Sequence, residues 1–200
     1  MPAVKIDPMK LPGPWTDGYV LERRHTLSSE FSEYDSLGKP RFENTKRSEL
    51  GQLVFLLKNR TDKRTIDPIA NTAVEFLQGW DPPFDLIVPV PPSRARSIYQ
   101  PVVEIAKAIG QRLSKEVNVA AAKKIKTTPE LKDVCAYQQR IKLLDSAFQV
   151  DADAVLGRRI LLVDDLYRSG ATAAVVTQAL LAGGAVAVYL LAMTKTRTRT

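Results

Sequence analysis

Two adjacent carboxylates, Asp164 and Asp165, directly follow the apolar run Ile160-Leu161-Leu162-Val163 and precede Leu166-Tyr167-Arg168-Ser169-Gly170-Ala171-Thr172. Small residues and a glycine let backbone N–H groups converge on an anion, and the N-terminus of a following helix adds unpaired donors and the positive end of its dipole. Gly170 and Ala171 supply that backbone, Ser169 and Thr172 can add hydroxyl donors, and Arg168 can add charge. The acid pair offers acceptors for a sugar diol and could hold a hydrated magnesium ion indirectly, through its waters. A phosphate beside a pair of hydroxyls describes a ribose 5-phosphate.

A second polar loop complements the first. The apolar stretch Phe84–Val90 runs into Pro91-Pro92-Ser93-Arg94-Ala95-Arg96, where a hydroxyl and two guanidiniums suit a pyrophosphate. Alone, this loop could equally be a surface turn with exposed arginines. His25 has no visible partner for acid–base work and reads as structural. The turn Lys58–Arg64 reads as solvated, and Cys135 as an ordinary thiol. A P-loop is excluded, since Gly-Lys-Ser/Thr is absent.

The elements that must position these groups alternate in type. Residues 1–17, with prolines at 2, 8, 12 and 14, read as an irregular arm that packs Trp15 on the body. Tyr19–Leu21 and Pro40–Glu43 flank a turn-like Glu33–Lys39, which predicts a hairpin. Leu50, Leu53, Val54 and Leu57 recur at helical spacing, as do Ile66, Ile69, Ala73, Val74 and Leu77 up to a stop at Gly79. The following expectations are a strand at 84–90, a helix carrying Val102, Ile105, Ile109 and Leu113, and a strand at 117–122. Lys123–Asp133 reads as a mobile basic loop, Val134–Leu144 as a helix and 147–150 as an edge strand. Ile160–Val163 is too short and too bounded for a helix and reads as a strand buried on both faces. A helix at 171–182 and a strand at 185–193 complete the chain. Such alternation implies an α/β fold with a mostly parallel twisted sheet and helices on both faces, in which ligands collect at the carboxyl ends of the strands.

The 200 residues are 44% hydrophobic and 26% charged, ordinary values that argue against disorder. No run is long enough to span a bilayer as a helix, and the N-terminus lacks an apolar signal core, so a cytoplasmic location without membrane contact is expected. One cysteine excludes an intramolecular disulfide and a cysteine-based zinc site. The net charge of +7 favours anionic partners, although no aromatic–basic interleaving of the kind that stacks single-stranded bases is visible.

Val163–Thr172 resembles the type I phosphoribosyltransferase signature: an apolar strand, two acids, three variable residues, Thr or Ser, Gly, one variable residue and Thr. More of the chain, roughly 18–193, is similar to the ComF branch of competence-associated phosphoribosyltransferase-like proteins. That similarity lies in Gly18–Leu21 with His25-Thr26, Lys58, Val88-Pro89-Val90-Pro91, Gln100 and Gln138–Phe148. It implies a small N-terminal hood over 18–60, a core over 84–193 within one domain (18–200), and binding of phosphoribosyl pyrophosphate with magnesium. In that reaction a nucleophile displaces pyrophosphate from the ribose. By resemblance Asp164 and Asp165 would hold the ribose and, indirectly, the metal, and Arg168–Thr172 the 5-phosphate. Ser93, Arg94 and Arg96 would take the pyrophosphate, with Lys123, Lys124 and Lys126 in a closing loop where Lys126 could neutralise the leaving group. Two departures matter. The cysteine-rich zinc module of many ComF proteins cannot form here, and Arg168 stands where transferases for 6-oxopurines place a proton-accepting acid. A transferase, a non-catalytic binder of the same ligand and an accessory DNA-processing protein, with DNA or its processing proteins as partners and a homodimer as a further expectation, all remain open. The nucleophilic acceptor is unassigned.

Overall fold

The computed structural model describes residues 2–35, 40–92, 99–126, 137–144 and 146–196. In chain order the first elements are β1 (Met9–Lys10), β2 (Asp17–Glu22), β3 (Thr26–Tyr34), β4 (Pro40–Arg47), α1 (Glu49–Arg60), α2 (Ile66–Trp80), β5 (Leu86–Pro89) and α3 (Pro101–Leu113). There follow β6 (Glu116–Val117), β7 (Ala122–Lys124), α4 (Tyr137–Leu144), β8 (Phe148–Val150), α5 (Ala152–Val155), β9 (Arg159–Tyr167), α6 (Ala171–Ala182) and β10 (Ala187–Lys195).

Six strands form one sheet in the order β1-β2-β10-β9-β5-β6. Every pairing in it is parallel except that of β1 with β2, so the fold is α/β with a mostly parallel sheet, as the alternation implied. Side chains alternate across a strand, and β9 shows why its run had to be apolar. Ile160 and Leu162 pack on one face with Val176 and Leu180 of α6 and Leu144 of α4. Leu161 and Val163 pack on the other with Leu50 and Leu57 of α1, Ile69 of α2 and Ile105 of α3. All four are fully buried, each contributing about 1.5–3 kcal/mol of burial.

Five local readings change. Tyr19–Leu21 is not half of a hairpin: β2 lies beside β10 in the central sheet, with Val20 and Leu21 fully buried. The hairpin is β3 with β4. The stretch 117–122 is not one strand. Asn118 accepts the N–H of Ala120 through Oδ1 at 2.9 Å, a local side-chain turn that ends β6, and β7 pairs separately with β8. Lys123 and Lys124 therefore belong to a strand rather than to a loop. Gly79 does not stop α2. Trp80 extends the helix because its indole donates to Asp17 at 3.2 Å and its ring packs edge-on against Tyr19; Asp81 then takes the left-handed cap at φ 49°. The amino-terminal segment contributes β1 to the sheet, and Trp15 is buried with its Nε1 donating to the Leu11 carbonyl at 2.8 Å.

Candidate functional site

The acid pair lies inside β9 rather than beyond its end. The ladder to β10 continues past it, with Ala192 opposite Asp164 and Lys195 opposite Tyr167. On the other side β5 pairs only as far as Pro89 opposite Val163, with one further bond from the Val90 N–H to the Val163 carbonyl. Pro91 and Pro92 follow, and neither can donate a ladder bond. Beyond Val163, β9 is thus flanked by β10 alone among the described strands.

Consecutive strand residues point to opposite faces, so the two carboxylates are not equivalent. Asp165 shares the face of Leu161 and Val163, which α1 covers, and is buried. There Lys58 of α1 donates to it at 2.7 Å. Asp164, on the other side, is partly buried, and its carboxyl is pushed up to about 6 by burial first and by the charge of Asp165 second. Lys58 and the backbone N–H groups of Leu166 and Asp165 act in the opposite direction. One acid has a counter-cation, and the carboxyl of the other is raised by burial and by its neighbour's charge.

The chain then turns into α6. Gly170 adopts φ +78°, a left-handed conformation that side-chain-bearing residues rarely take, and a Cβ there would collide with the Tyr167 hydroxyl. Tyr167 is itself held by an edge-on contact with Trp15 at 6.4 Å between centroids. No side chain caps α6, which leaves its first-turn amides as donors for an anion. Ser169 and Thr172 are partly exposed beside them, Ala171 is buried, and Arg168 is exposed.

A third group of residues borders the acids, and sequence reasoning missed its role. His25 donates its backbone N–H to the Lys195 carbonyl, and its Nδ1 lies 3.0 Å from Thr194 Oγ1. Thr194 in turn is 3.4 Å from the Asp165 carbonyl. Burial, then the charges of Arg47 and Lys58, pull the His25 imidazole down to about 4, so it is neutral at pH 7. Gly51, in the first turn of α1, approaches the His25 carbonyl so closely that a Cβ would overlap it. From Gly51 to Lys58 the helix advances about 10 Å, which matches two strand spacings of roughly 5 Å, the separation of β2 from β9. Lys58 reaches Asp165 across 107 residues of sequence, and its place on α1 rather than in a solvated turn was not legible locally.

Ser93, Arg94 and Arg96 lie outside the described residues, as does most of the expected basic loop, including 127–133, and Cys135. Lys123 and Lys126 are exposed and Lys124 partly buried, with its ammonium shifted down by burial. Among the described residues no group of three or more His, Cys, Asp or Glu side chains forms a metal cage. The acid pair fits a magnesium ion that keeps its waters and takes only one or two carboxylates from the protein. No helix among the described residues is long and apolar enough to cross a membrane.

No family model matches the chain, and no curated protein matches it. Solved structures that align with it include adenine phosphoribosyltransferase from Leishmania tarentolae, at 14% identity and TM-score 0.46, covering 89% of this chain and 91% of that one. Orotate phosphoribosyltransferase from Mycobacterium tuberculosis aligns at 17% identity and TM-score 0.43, covering 84% and 90%. Glutamine phosphoribosylpyrophosphate amidotransferase from B. subtilis aligns at 16% identity and TM-score 0.44, covering 64% of this chain and 26% of that one. The chain thus spans about a quarter of the amidotransferase's length.

Proposed function

We propose that this chain is a type I phosphoribosyltransferase-like protein that binds phosphoribosyl pyrophosphate with magnesium at the carboxyl end of β9 and transfers the phosphoribosyl group to a nucleophile. The observation that carries this reading is the course of Val163–Thr172. A parallel strand bearing two acids runs through a left-handed glycine into a helix without a side-chain cap. The α6 amides, with Ser169 and Thr172, would hold the 5-phosphate, and Arg168 would add charge beside it. Asp164 and Asp165 would take the ribose hydroxyls, Lys58 fixing the orientation of Asp165. Magnesium, when bound, would neutralise charge on the departing pyrophosphate. Ser93, Arg94 and Arg96 would meet that group directly, with Lys126, just beyond the strand that carries Lys123 and Lys124, adding charge from the β7 side. The protein's contribution is charge stabilisation of an oxocarbenium-like state and exclusion of water.

The ComF-type role in DNA uptake, a cytoplasmic location, a homodimer and contact with DNA or its processing proteins belong to the same proposal. The basic stretches at 58–64, 123–132 and 195–199 motivate the DNA contact. An interaction with DNA that is undetectable, or unaffected by salt, would remove it. The experiment for catalysis is pyrophosphate release from phosphoribosyl pyrophosphate across nucleobases and amines. Release with at least one acceptor supports a transferase; tight donor binding with silence across the panel supports a non-catalytic binder.

A further inference from the structure

Arg47, the last residue of β4, carries a buried polar atom that the described fold leaves without a hydrogen-bond partner. Its Nε is shut off from solvent and has no hydrogen-bond partner, and no described carboxylate forms an ion pair with its guanidinium. A guanidinium stays charged at every physiological pH, and leaving such a group partly buried without a counter-ion is unfavourable. The arrangement is nonetheless a defined one. The guanidinium lies 3.7 Å from the centroid of the Phe55 ring on α1, which fixes the plane of its fork. Phe55 and Lys58 are three residues apart and share a face of α1, so Arg47 stands about one helical turn from the Lys58–Asp165 pair. The charges of Arg47, Lys58 and Asp165 all act on the His25 imidazole. Asp165, the buried carboxylate of this region, is paired with Lys58.

We infer that Arg47 is the binding group for a carboxylate on the nucleophilic acceptor. This inference rests on the phosphoribosyl-transfer reading, because it names a property of that reaction's second substrate. The fork, oriented by Phe55, suits a planar carboxylate. Arg47 lies on the hairpin and packs on α1, elements other than α6, whose amides are assigned to the 5-phosphate of the donor. Neutral His25 adds no competing charge.

The test is calorimetric titration of the full chain with nicotinate, picolinate and benzoate, each compared with its carboxamide, in the presence and absence of phosphoribosyl pyrophosphate and Mg²⁺. The expected result is that at least one carboxylate binds roughly tenfold more tightly than its amide. Arg47→Gln should erase that preference while changing donor affinity less than twofold. Phe55→Leu keeps the charge but removes the platform and should weaken the preference, giving a reading even if Arg47→Gln folds poorly. No preference for any carboxylate, a preference that survives Arg47→Gln, or an equal loss of donor affinity in that variant overturns the inference; the last would assign Arg47 to the donor. A carboxylate preference without donor binding would sustain the anion site and refute the transfer reading instead, whereas donor binding without the preference would do the reverse.

Discussion

Replacing Asp164 by asparagine should make the unliganded protein more stable at neutral pH. Burial and the adjacent charge of Asp165 raise the Asp164 carboxyl from 3.8 to about 6, a displacement worth about 3 kcal/mol as an upper bound. The sign follows from the direction. A carboxyl whose folded value is raised supports the fold fully below its unfolded value and loses that contribution as pH rises through the folded one. Above about pH 6 the wild type therefore carries an unfavourable buried charge. Asparagine keeps an oxygen for the N–H groups of Leu166 and Asp165 and carries no charge. Because Asp164 is partly exposed, solvent screening reduces the gain to about 1–2 kcal/mol. Urea unfolding followed by circular dichroism at pH 4, 6 and 8, wild type against Asp164→Asn, reads it directly: the difference should be small at pH 4 and grow through pH 6. A variant less stable than wild type at pH 8, or a gain equally large at pH 4, would refute the electrostatic reasoning. Such a gain with loss of ligand binding is the stability–function opposition expected at a site.

Two further outcomes follow from the same geometry. Lys58→Met removes the counter-cation of Asp165; the lysine is 42% exposed but the carboxylate it leaves behind is buried, so stability should fall by about 1–3 kcal/mol, while the Asp164 carboxyl, watched by carbon NMR, titrates at still higher pH. Gly170→Ala forces a side chain into φ +78° and onto the Tyr167 hydroxyl, so unfolding free energy should fall by more than about 1 kcal/mol and the melting temperature with it; an unchanged melting temperature would mean that the turn into α6 is not so constrained.

The parts of this fold that were legible in sequence are those fixed by local chemistry. Ile160–Val163 is apolar on both faces, so it could only be an interior strand, and Gly170 marks a turn where a helix begins. The legible residues of the site are likewise contiguous. What sequence did not reveal depends on contacts between distant segments. β2 joins β10 across the whole chain because Val20 and Leu21 need covering on both faces, while β3, mostly polar and exposed, carries too weak a hydrophobic pattern to announce the hairpin. Lys58, His25 and Arg47 look like ordinary surface residues until α1 crosses the strand ends. The inequivalence of Asp164 and Asp165 was implicit in the strand period, but only once the acids were known to lie within β9.

The most direct test of the central claim is calorimetric titration of the wild type and of Asp164→Asn/Asp165→Asn with phosphoribosyl pyrophosphate, with and without Mg²⁺. The account requires saturable, Mg²⁺-dependent binding by the wild type and a loss of at least roughly tenfold in the variant, about 1.4 kcal/mol. No binding by the wild type, or equal binding by both proteins, would contradict it.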